Sequence, residues 1–154
     1  MRFTLSSGTL NARLQSLSKV INSKNSIPIL DSFLFEVSNN ELKITASDNE
    51  NVMTSSVTLD QCDGEGSFAV PNRTILDAVK ELPEQPLSFD VDTEALTIKI
   101  LYQNGMYNFT AQNADEYPHT QTVPDSATII TLNSTSLVNN ITRSLFATAQ
   151  DELR

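Results

Sequence analysis

Residues 3–17 run Phe-Thr-Leu-Ser-Ser-Gly-Thr-Leu-Asn-Ala-Arg-Leu-Gln-Ser-Leu, and residues 68–82 run Phe-Ala-Val-Pro-Asn-Arg-Thr-Ile-Leu-Asp-Ala-Val-Lys-Glu-Leu. Shifted by 65 positions, Phe3 meets Phe68, Leu5 meets Val70, Leu10 meets Ile75, Leu14 meets Val79 and Leu17 meets Leu82. Each stretch reads as a short strand followed by a helix with one apolar stripe. The first stripe runs on to Ile21, and Pro83 stops the second. Ser6 or Ser7 can cap the first helix and Asn72 the second, by accepting an otherwise unpaired backbone N–H.

The same shift carries further. Phe33 falls on Ile98, Phe35 on Ile100, Ile44 on Phe109 and Thr45-Ala46 on Thr110-Ala111, one register without gaps. Strands are expected at 32–37, 42–46 and 52–59, and again at 87–91, 96–100 and 107–111, from period-2 alternation or β-branched composition. Asn39-Asn40, Asp92-Thr93-Glu94 and Gln103-Asn104-Gly105 are turn signals, and the Asn-Gly pair of the last favours a tight primed turn. Residues 62–66 read as a loop. The implied architecture is α+β. Duplicated βαβββ halves, 1–62 and 66–120, are related by a pseudo-two-fold axis, with two helices on one face of largely antiparallel sheets.

Residues 113–127 carry Pro118 and Pro124 among acidic and polar residues, with no apolar period, and 121–128 reads as a linker. A shift of 127 then lays Phe3-Thr4-Leu5 on Ile130-Thr131-Leu132, Leu10 on Leu137 and Leu14 on Ile141. Residues 129–154 therefore look like the start of another copy, a strand at 129–132 and a helix at 134–146. Its stripe of Leu137, Ile141 and Leu145 lacks a sheet of its own and must find another surface.

Composition limits the function classes. The chain has 154 residues, 10 Lys+Arg against 19 Asp+Glu, a net charge of −9, one His and one Cys. One Cys forms no internal disulfide, and with one His it cannot complete a zinc site of Cys and His alone. No run of 18 apolar residues exists, and the N-terminus lacks the apolar segment of a signal peptide, so a reducing, cytoplasmic setting is expected. The net charge argues against a conventional phosphate-gripping protein. It is unevenly spread, however. Residues 1–30 hold Arg2, Arg13, Lys19 and Lys24 and no acid, which leaves −13 on the remainder.

Helical periodicity places these cations. With Leu10 as the core direction, Lys19 lies at ~180°; with Ile75 as core, Arg73 and Lys80 lie at ~140–160°. Asp77 and Glu81 share that second outer face, so its charge is mixed, and Arg13 sits on the flank of the first helix.

Met-Arg-Phe-Thr-Leu at the start, Ser26-Ile27-Pro28-Ile29-Leu30, Ala46-Ser47-Asp48 and Phe68-Ala69-Val70-Pro71 together resemble one known family. So do Phe109-Thr110-Ala111, Asp115-Glu116-Tyr117-Pro118 and the final Ala149-Gln150-Asp151-Glu152-Leu153-Arg154. The resemblance is to the bacterial sliding clamp, the beta subunit of DNA polymerase III. It implies a DNA-clamp fold, with 1–120 as a first clamp domain and 129–154 as the truncated start of a second. It implies a non-catalytic processivity factor, without cofactor or metal, that encircles double-stranded DNA without sequence preference. Lys24, Arg73, Lys80, Gln150 and Arg154 match DNA-facing positions, to which the helix face adds Lys19. The strand with Met106, Tyr107 and Phe109 resembles the edge that meets a second clamp subunit, although alternation alone also allows Tyr107 and Phe109 to be core. Polymerase and clamp loader would engage domains that this chain does not include.

Two other readings stand beside this one. A sheet edge could serve a protein-interaction module that never touches DNA. An enzyme could use Cys62 with His119, or the alternating carboxylates Asp90, Asp92 and Glu94. Gly64-Glu65-Gly66 is not a phosphate loop. The sequons at Asn72, Asn108, Asn133 and Asn140 carry no meaning without secretion.

Overall fold

The structure is a computed structural model and describes residues 1–21, 27–118, 124 and 126–148. The chain divides into two compact units, Met1–Thr120 and Gln121–Arg154.

The first unit opens with β1 (Arg2–Ser6) and α1 (Ser7–Leu17), then a 3-10 turn at Pro28–Asp31. The strands β2 (Ser32–Ser38), β3 (Glu41–Ser47), β4 (Val52–Thr58) and β5 (Gln61–Asp63) follow. The pattern restarts with β6 (Gly66–Pro71) and α2 (Asn72–Lys80), and β7 (Pro86–Asp92), β8 (Thr97–Tyr102) and β9 (Gly105–Thr110) complete it. All named pairings are antiparallel. The first sheet has the order β5-β1-β7-β8-β9 and the second β4-β3-β2-β6.

These orders reveal how the halves interlock. Equate β1 with β6, β2 with β7, β3 with β8 and β4 with β9, and the run β1-β7-β8-β9 becomes β6-β2-β3-β4. Each half lends its first strand to the other half's sheet. The four phenylalanines at the centre obey the same symmetry. Phe3 stacks on Phe89 at 4.7 Å and Phe68 packs on Phe35 at 5.3 Å, with Phe3 and Phe68 meeting at 6.5 Å. All four are essentially buried.

The duplication holds, but its gapless register does not. The shift of 65 is right for strand and helix, then fails, because Phe35 corresponds to Phe89 rather than to Ile100. The cause is loop length. Residues 18–31 join α1 to β2, whereas only 81–85 join α2 to β7. Strands of period 2 fit several registers equally well, so the slip leaves apolar on apolar.

Local chemistry sets the remaining elements. Ser6 caps α1, its Oγ accepting from the Thr9 N–H. Ser7 is buried; it donates to the Pro83 carbonyl and accepts from the Gln85 N–H, fastening the start of α1 to the chain beyond α2. Asn39 and Asn40 have φ of +51° and +61°, as a primed hairpin turn requires. The β8–β9 turn differs from expectation. Tyr102 pairs with Gly105, so Gln103 and Asn104 are its central residues, and neither has positive φ. Gly105 instead lets Tyr102 lie close: a Cβ there would be 2.7 Å from the Tyr102 hydroxyl, so the tyrosine would have to shift. Cys62 lies in a three-residue edge strand rather than a loop, too short to show alternation.

Asn72 does not cap α2. Pro71 occupies the N-cap without a side-chain bond, and the Asn72 Oδ1 is enclosed with no partner. Buried Leu10, Leu14 and Leu17 face buried Ile75, Ala78 and Val79 across the α1–α2 contact.

The second unit contains α3 (Ser134–Ser144), capped by Asn133, and a 3-10 turn at Leu145–Ala147. Residues 129–132 form no strand, contrary to expectation, because no neighbouring strand supplies a ladder. Leu137, Ile141 and Leu145 of the stripe are 43%, 51% and 56% exposed.

Candidate nucleic-acid interface

With their apolar stripes turned inward, α1 and α2 present their other sides to solvent. On α1 this side carries Ala12, Arg13, Gln15 and Ser16, all exposed and none acidic. Its polar groups bond locally: Gln15 donates to Asn11, and Ser16 to the Ala12 carbonyl. On α2 the exposed residues include Arg73, Asp77 and Lys80.

Lys19 is exposed but not on the helix. α1 stops at Leu17, where the Ser18 N–H still reaches the Leu14 carbonyl and the Ser18 Oγ donates to Gln15. Lys19 sits in the following turn, so the helical angle assigned to it does not apply. Arg73 lies in the first turn of α2 and Lys80 at its last position. The Lys80 Nζ is 2.8 Å from Asp77 Oδ1, and that hydrogen bond holds the ammonium above its usual range. Lys80 is therefore a paired cation, whereas Arg13, Lys19 and Arg73 have no ion pair among the described residues. Lys24, Gln150 and Arg154 lie outside the described residues, as does His119.

The β9 strand separates its two faces. Tyr107 and Phe109 turn toward the core and are half-buried, while Met106 points to the opposite side and is 54% exposed. Tyr107 stacks on Tyr102 at 5.0 Å and on Phe109 at 5.9 Å. Loss of water raises the Tyr107 phenol, with its Tyr102 hydrogen bond adding to the effect. Tyr102 was not singled out from the sequence; its position opposite a hairpin glycine was the available signal. β9 is the open end of the first sheet, and its counterpart β4 is the open end of the second.

Three residues of the enzyme reading, Asp90, Asp92 and Cys62, are engaged in bonds of their own. Asp90 pairs with Arg2 at 3.0 Å, and the Arg2 hydrogen bond holds the Asp90 carboxyl below its usual range. Asp92 accepts the Glu94 and Ala95 N–H groups of its own turn. Cys62 Sγ donates to the Gly64 carbonyl.

Interlocked duplicate halves, two sheets and a helix pair on one face define the sliding-clamp class of fold. The DNA polymerase III subunit beta of Pseudomonas aeruginosa superposes with a TM-score of 0.89 over 100% of this chain and 41% of that one, at 24% identity. The clamp of Caulobacter crescentus gives 0.86 over the same shares, also at 24%. The family model for the DNA polymerase III beta subunit, N-terminal domain, matches residues 1–121, and the chain belongs to that family. The beta sliding clamp of Pseudomonas putida is 30% identical across the whole chain, and that of Bacillus subtilis 28%. The chain spans 41% and 42% of the length of those two relatives.

Proposed function

We propose that this chain is the first part of a sliding clamp that encircles duplex DNA and keeps a replicative polymerase on its template. The observation that supports this most is the outward side of the helix pair. With Glu81 just past the end of α2, it carries three cations, Arg13, Arg73 and Lys80, and two acids in a chain of net charge −9; α1 contributes no acid, and Lys19 adds an exposed cation in the turn after it. Such a surface meets phosphates without reading bases. Retention then comes first from closure of a ring, and the phosphate contacts lengthen residence further. The role is non-catalytic, the setting cytoplasmic, and the complete protein a homodimeric ring served by polymerase and clamp loader.

The sheet ends fit that assembly. β9, with Tyr107 and Phe109 on one face and Met106 on the other, is the edge that meets a second subunit. β4, its symmetry mate, offers the edge for the next domain. Among the described residues, no helix is long and apolar enough to cross a membrane.

Amide chemical shifts of the 154-residue chain titrated with a short duplex test the helix face. Weak binding is expected, at or above the ~10⁻⁴–10⁻⁶ M of non-specific association. Shifts should fall on α1, residues 18–20 and α2, and fade with added salt. Shifts confined to 105–110, with the helices silent, would instead favour an interaction module that does not touch DNA.

A further inference from the structure

The two sheets differ on the sides turned away from the main core. Across the first sheet, Thr4, Ser88, Leu101 and Met106 stand in one cross-strand row on that side. The symmetry-related row on the second sheet is Ala69, Leu34, Thr45 and Thr54. The hydroxyls Thr4 and Ser88 thus correspond to the apolar Ala69 and Leu34. At the other two positions the order reverses, Leu101 and Met106 corresponding to Thr45 and Thr54, so the second sheet is apolar only at its β6–β2 end, where it is covered.

Two segments form the cover. The 3-10 turn Pro28–Asp31 supplies Ile29 and Leu30, and Tyr117 follows a 3-10 turn at Ala114–Glu116. Ile29, Leu30, Ala69 and Tyr117 make a small cluster separate from the main core, with Ile27 and Leu34 packed against it. Both 3-10 turns contact β6. The second is tied down through Gln112, which exchanges two backbone bonds with Ala69 at 3.0 and 2.9 Å. The Gln112 side chain also accepts from Ser32 Oγ at 2.7 Å. Tyr117 is 3% exposed and its hydroxyl has no hydrogen-bond partner. Loss of water pushes that phenol up to about 12, and the Ser47 backbone, at the edge of hydrogen-bonding reach, opposes it.

We propose that Tyr117 pins a latch on the outer side of the second sheet. It couples the strap at 112–118, where the chain leaves the first unit, to the turn at 28–31, where the α1–β2 connection enters that sheet. The ring of Tyr117 does the holding: it is buried among Ile29, Leu30 and Ala69, while its hydroxyl makes no hydrogen bond of good geometry. The strap and the turn share one small core, so loosening either loosens both. The latch opens as a local unit, because its cluster is not part of the main core.

Hydrogen exchange on the 154-residue chain tests this with Tyr117→Phe, Tyr117→Ala and Ile29→Val. Tyr117→Phe should exchange like the parent. Tyr117→Ala should accelerate exchange at both 27–31 and 112–118 by about tenfold or more while β3 and β7 stay protected. Ile29→Val, a milder change, should accelerate 112–118 as well as its own turn. Acceleration of only the mutated segment would overturn the coupling. Loss of protection across β3 and β7 with Tyr117→Ala, or a Tyr117→Phe variant as loose as Tyr117→Ala, would overturn the latch as a separate unit held by the ring.

Discussion

At the residue scale, Asp48 shows how a turn is held by one carboxylate. Its Oδ1 accepts the Asn51 and Glu50 N–H groups at 2.6 and 3.1 Å, and the Asn51 side-chain amide donates to its Oδ2 at 3.1 Å. Between them Asn49 adopts a φ of +79°, a left-handed conformation that Asn tolerates. The Asn51 backbone bond, first among these, holds the Asp48 carboxyl below its ordinary range. The folded value lies below the unfolded one, so the stabilisation is present above the unfolded value, about pH 4, and is lost as pH falls through the lowered folded value. Asp48→Asn removes the titration. Urea unfolding at pH 5 and pH 3 should show a smaller acid-induced loss for Asp48→Asn than for the parent, and equal losses would refute this role. The aspartate was visible in the sequence only as part of a family-like triplet. Its work as a turn acceptor depends on Asn51, whose approach requires the left-handed Asn49.

At the element scale, the two helices make a controlled pair. Ser6 caps α1 through the Thr9 N–H, whereas Asn72, the expected cap of α2, is its first residue and leaves an enclosed oxygen unpaired. Ser6→Ala should cost about 1 kcal/mol, the usual loss for a cap. Asn72→Ala should be neutral or slightly stabilising, because it removes a buried acceptor that bonds to nothing. Urea titrations of the two variants decide it, and a larger loss at Asn72 would restore it as a cap.

The same comparison shows what the sequence made legible. Strand and helix positions in both halves were readable, since buried Leu10, Leu14 and Leu17 and the alternating Leu87, Phe89 and Val91 carry the two periods openly. Which strand corresponds to which was not, because a chain of period 2 does not record how long the preceding loop is. The Asn104-Gly105 pair suggested a primed turn, but the register places the turn one residue earlier, and Gly105 serves the Tyr102 ring instead. The exposure of Arg73 and Lys80 followed from helical angle. The position of Lys19 did not, since no glycine or proline marks the end of α1.

At the scale of the whole molecule, the charge that opened as an objection to DNA becomes a question of placement. Aspartates 48, 90 and 92 serve turns and a cross-strand pair, while Arg13, Lys19 and Arg73 stand unpaired among the described residues. A protein acidic overall is held near a phosphate backbone only where its basic groups face inward. The duplicate halves place two symmetry-related strands, β4 and β9, at ends of the two sheets, where each leaves one edge unpaired among the described residues.

The most direct test of that account uses the full-length ring on nicked circular duplex DNA, comparing the parent with the double variant Lys19→Glu and Arg73→Glu. The helix pair facing DNA requires a shorter residence half-life for the variant at low salt. The difference should shrink as salt rises, because each lost phosphate contact lowers the salt slope by about 0.9. Equal half-lives at every salt concentration, with the ring intact, would contradict it.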